Sequence, residues 1–67
     1  MYYEYKEKEK KNSFFVSIRD KGENSLLEVE RKGENVNLTT YVRNDKTTHI
    51  TIPADLFERM AKRMSQN

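Results

Sequence analysis

The spacing of the turn signals constrains this chain more than any other feature. The tetrapeptide Lys-Gly-Glu-Asn occurs at Lys21–Asn24 and again at Lys32–Asn35, and a third polar cluster, Arg43-Asn44-Asp45-Lys46, begins eleven residues after the second. An eleven-residue period is what strands of about seven residues joined by tight turns give. The residues between the clusters alternate with period two. Phe14, Val16 and Ile18 fall on one side, followed by Leu27 and Val29, then Val36, Leu38, Thr40 and Val42, then Ile50 and Ile52. Strands are expected from Ser13, at about Ser25–Lys32, over Val36–Arg43 and over Thr47–Ile52, with Gly22 free to take positive φ in the first turn. Short connections place sequential strands side by side, so the pattern predicts a four-stranded antiparallel meander.

One segment breaks this rhythm. In Pro53–Met64, PADLFERMAKRM, the residues Leu56, Phe57, Met60, Ala61 and Met64 share an arc of roughly 140° on a helical wheel. Asp55, Glu58, Arg59 and Lys62 take the other side. Pro53 suits the first helical position, where its missing N–H costs nothing, and Asp55 suits the positive end of the dipole. The fold class predicted is α+β: a sheet with one C-terminal amphipathic helix as its lid.

Before Ser13 the signal changes again. Met1–Asn12 alternates Lys and Glu and has no apolar residues beyond three tyrosines and its first methionine. The expectation is a charged, flexible arm over 1–12 and a single β4-α domain over 13–67. A Tyr/Lys arm that touches nucleic acid and an edge strand begun by Tyr3 and Tyr5 are the other readings of the arm.

The chain has 67 residues, of which 34% are hydrophobic and 36% charged. So thin a core usually needs a staple. With no cysteine and one histidine, His49, disulfides and thiolate metal sites are excluded, and no metal or cofactor is expected. That leaves a second subunit, and a homodimer is predicted. The helix stripe would divide, with Phe57, Ala61 and Met64 at the dimer interface while Leu56 and Met60 face the sheet. No apolar run is long enough to span a bilayer, and there is no apolar signal segment, so a cytoplasmic location with no membrane partner is expected.

The sheet face turned away from the helix is the candidate site. Phe15 and Tyr41 offer flat rings for stacking bases, and Arg19, Lys21 and Arg43 offer charge for phosphates. Glu28 and Glu30 on the second strand oppose this, and an ordinary wet sheet face is the plainer alternative. A thin two-layer domain has little room for a convergent pocket, so no enzyme activity or catalytic residue is expected.

Phe14-Phe15-Val16-Ser17-Ile18-Arg19-Asp20, a turn, and Leu26-Leu27-Glu28-Val29 resemble the opening hairpin of the positive-cofactor-four family of transcriptional coactivators. His49-Ile50-Thr51-Ile52 running through Pro53 into a helix with Phe57 is similar to that family's close. The resemblance covers about Ser13–Met64. It implies a four-strand-plus-helix protomer that dimerises largely through its helices and grips single-stranded DNA on its sheets. Arg19 matches the basic residue of the first strand's motif. Lys21, Glu30 and Gly33 depart from it, falling at or near positions where the family has aromatic or basic residues. The function expected is sequence-tolerant binding of single-stranded DNA or RNA linked to transcription or replication. The alternative is a small interaction module, of the kind phages encode, that inhibits a host protein such as a transcription component.

Overall fold

A computed structural model describes residues 2–66; Met1 and Asn67, the outer limits of the two segments expected from sequence, lie outside the described residues. The chain is α+β, an antiparallel sheet followed by one helix. Five strands run β1 (Tyr3–Lys10), β2 (Ser13–Asp20), β3 (Ser25–Lys32), β4 (Asn35–Val42) and β5 (Asp45–Pro53), and α1 (Ala54–Met64) closes the chain. Their order in the sheet is their order in sequence. The meander is therefore as predicted, but it has one strand more.

The additional strand is the segment read as an arm. β1 pairs with β2 along its whole length, from Tyr3 opposite Asp20 to Lys10 opposite Ser13, and the Lys21 N–H donates to the Tyr2 carbonyl at 2.9 Å. The reading with an edge strand begun by Tyr3 and Tyr5 is the one observed. Tyr5 lies opposite Ile18, so its ring extends the apolar face by one strand.

The turns are tighter than the sequence suggests. Arg43 and Asn44 alone join β4 to β5, both with positive φ (53° and 71°), as a two-residue type I′ hairpin demands. In the first Lys-Gly-Glu-Asn turn it is Asn24, at φ 54°, rather than Gly22 that takes the left-handed conformation. The Asp20 carboxylate accepts from the Gly22 and Glu23 N–H groups and shapes that turn from the side. In the second, Gly33 takes it, at φ 63°.

Arg43 is the one residue other than asparagine or glycine held left-handed among those described, at a cost of order 1 kcal/mol. Arg43→Asn is expected to raise the melting temperature by several degrees, since asparagine tolerates this conformation. A melting temperature unchanged or lowered would show that the Arg43 side chain contributes more to the fold than its backbone costs.

The helix starts one residue later than predicted. Pro53 keeps an extended conformation (φ −61°, ψ 143°) and acts as the N-cap. The Ala54 N–H donates to the Glu34 carbonyl in the β3–β4 turn at 2.8 Å, and Arg31 on β3 pairs with Glu58. These two ties fix the helix rotation. Ala54 is buried and Phe57 half-buried, while Leu56 and Met64 turn outward and Met60, 44% exposed, sits between.

The lid is consequently partial. Val36 and Ala54, at 1% and 4% exposure, are the buried hydrophobic residues of the core. Phe14, Val16, Ile18, Leu27, Val29, Val36 and Leu38 on the sheet, with Phe57 and Met60 on the helix, line an open groove of about 680 Å³. Leu56 and Met60 were expected to face the sheet. Met60 reaches the groove's edge, but Leu56 is 51% exposed.

Candidate functional site

Register decides what the other face carries. Side chains at directly paired positions share a face, so the rows across the sheet can be read from the pairing. At the end bearing the β2–β3 and β4–β5 turns, one row runs Glu4, Arg19, Leu26, Tyr41 and Lys46. The next holds Lys6, Ser17, Glu28, Thr39 and His49, and the third Lys8, Phe15, Glu30, Asn37 and Thr51. Lys10, Ser13, Lys32 and Asn35 make up the last.

Phe15, Arg19 and Tyr41 therefore lie on one face, all half-buried. Lys21 and Arg43 are exposed turn residues at the same end of the sheet. The Arg43 N–H donates to the Asn24 carbonyl at 2.9 Å, stitching the two turns together. Lys21 is drawn to Glu4 at 3.5 Å, and Lys6 reaches the same carboxylate at 3.6 Å.

The two aromatic rings do not form one platform. Two strands and four residues separate Phe15 from Tyr41, roughly 16 Å at ordinary strand spacing and rise. Glu28 and Glu30 occupy the ground between them. Partial desolvation, and then the Glu28 carboxylate beside it, push the Tyr41 phenol up from its usual range.

Five cations of this face, Lys6, Lys8, Lys10, Lys32 and Lys46, were not part of the site read from sequence. Because β1 is a strand, its Lys/Glu alternation is sorted by the pleat: Lys6, Lys8 and Lys10 join Phe15 and Arg19, while Glu7 and Glu9 go to the groove side. The signal was present as strict period two, but without a known partner strand it reads as a solvated charge run. Lys32 lies in the last row, on β3, and Lys46 in the first, on β5. A register shift after Thr40 sets Lys46, rather than Thr47, opposite Tyr41.

The face as a whole carries six cations (Lys6, Lys8, Lys10, Arg19, Lys32 and Lys46) against three carboxylates (Glu4, Glu28 and Glu30). The cations frame it along the β1 margin and at both ends of the strands. No family model, curated protein or solved structure matches this chain.

His49, exposed on the edge strand β5, shares a hydrogen bond through Nδ1 with the Thr39 hydroxyl on β4 at 2.9 Å. No group of three or more potential ligand residues that could hold a metal ion is found among the described residues. Of the three residues expected at a dimer interface, Phe57 is half-buried in its own groove, Ala61 is exposed and Met64 is 77% exposed. No helix among the described residues is long and apolar enough to cross a membrane.

Proposed function

We propose that the face bearing Lys6, Lys8, Phe15, Arg19 and Tyr41 binds single-stranded nucleic acid without regard to sequence, in the cytoplasm and in the service of transcription or replication. The observation that carries this reading is the sorting of β1, which turns a neutral-looking charge run into a one-sided row of lysines. Alternate residues on a strand are about 6.6–6.8 Å apart, close to the repeat of an extended sugar-phosphate backbone. A strand of nucleic acid laid along β1 meets lysine after lysine, with a base over Phe15. It continues over Arg19 to the turn end, where Tyr41, Lys46 and Arg43 lie. Flat rings accept any base, and the lysines contact phosphates by charge alone, so sequence tolerance follows. The chain acts as a binding protein rather than an enzyme, and the likeness of its hairpin to the positive-cofactor-four family points the same way.

Glu28 and Glu30 favour the second reading, an interaction module or inhibitor whose ligand is a basic surface on a protein. One pair of substitutions separates the two. Glu28→Gln with Glu30→Gln removes two repulsive charges from the phosphate path and is expected to tighten oligo-dT binding severalfold, more so at low salt. Fluorescence anisotropy with a labelled oligo-dT reads this directly. Absence of binding by both the parent and the variant at low salt would exclude the nucleic-acid reading and leave the protein ligand.

A further inference from the structure

The groove and the outward-turned helix stripe belong to one chain, and neither is covered by it. Phe14, Leu56, Met60 and Met64 are 39%, 51%, 44% and 77% exposed. A folded monomer of 8.0 kDa exposes about 4,450 Å² by the scaling of accessible surface with mass. This chain exposes 5711 Å², a surplus of about 1,250 Å² over that scaling. A standard interface takes about 800 Å² from each partner, and obligate homodimers take more. The surplus is thus of the size that one subunit of a stable dimer contributes.

Charge selects the occupant. The outer wall of the groove is β1, which presents Glu7 and Glu9 on the apolar side, opposite Val16 and Phe14. The free end of the helix is basic, with Lys62 and Arg63 in its last turn. Arg63 borders the apolar stripe, and an apolar helix face that ends in a cation is the ligand that an apolar groove walled by two carboxylates accepts; the chain carries both. We propose that a second copy of this chain covers the groove. The helix of each copy lies over β1–β3 of the other, with Leu56, Met60 and Met64 inward and Arg63, which borders that stripe, against Glu7 and Glu9. A two-fold axis repeats each contact, as an isologous interface requires. The polar faces of both copies then point outward, and nothing in the interface competes with them for ligand.

Sedimentation equilibrium of the full chain, free of nucleic acid, tests this apart from the binding function. The expected result is a mass of twice 8.0 kDa, with a melting temperature that rises with protein concentration. Met60→Glu with Met64→Glu should give a folded monomer by circular dichroism, since both side chains are already exposed within one chain. Arg63→Glu should weaken the dimer severalfold or more, and adding Glu7→Lys with Glu9→Lys should restore it, whereas Lys62→Glu, on the far side of the helix, should not weaken it. A monomer at about 100 µM, far above the dissociation constant of a stable dimer, would overturn the proposal. So would a dimer indifferent to the methionine substitutions, or a charge reversal that the compensating pair does not rescue.

Discussion

Replacing Lys6, Lys8 and Lys10 together by alanine is expected to lower affinity for oligo-dT by about two decades at 0.1 M salt. The size follows from counterion release. Each phosphate neutralised on a single strand contributes about 0.7 to the slope of log affinity against log salt, so three lysines carry a slope of about 2. The slope should fall by that amount, and the effect should shrink as salt rises. A sharper version keeps composition and net charge constant. Exchanging Lys6 with Glu7 and Lys8 with Glu9 moves two lysines to the groove side and two glutamates to the polar face. A paired strand loses its binding row by this exchange, and affinity should fall nearly as far as in the alanine variant. A disordered arm would be indifferent to it, so unchanged affinity would remove β1 from the site.

The second large effect concerns Val36. It is 1% exposed, paired with Arg31 on one side and Ile52 on the other, and close to where α1 is tied down. Val36→Ala removes two methyl groups from the tightest point of a thin core, at a cost of about 1.5–3 kcal/mol. A domain of this size has about 3–5 kcal/mol to lose, so a fall in melting temperature of roughly 8–16 °C is expected. Val42→Ala, 43% exposed at the sheet's end, should cost under about 1 kcal/mol. Equal losses at the two positions in thermal denaturation would mean that the core does not sit at the β4–α1 junction.

What was legible in the sequence depended on how local its cause is. β3 is where alternation and turn residues put it, because the pleat and the turn chemistry are properties of a few neighbouring residues. β1 was not legible. A strand with charges on both faces has no apolar period, and what makes Lys6–Lys10 a strand is pairing with β2, which the segment itself does not announce. For the same reason Phe15, Arg19 and Tyr41 could be placed on one face, whereas Lys6, Lys8 and Lys10 could not. Their side was decided by a partner. Lys46 was hidden by the irregularity at Thr40, since one inserted residue exchanges the faces of everything beyond it. The apolar stripe of α1 was plain, but its rotation was not. Two ties outside the helix, the Glu34 carbonyl and Arg31, turn Ala54 and Phe57 inward and leave Leu56 out.

The central claim is that a ligand strand lies along the polar face beside β1. Titrating isotope-labelled protein with a short oligo-dT and following its backbone amide resonances tests this most directly. The largest shifts are expected at Lys6, Lys8, Phe15, Arg19 and Tyr41, with the groove residues Val29 and Leu38 unmoved. Shifts centred on the groove, or none at low salt, would contradict it.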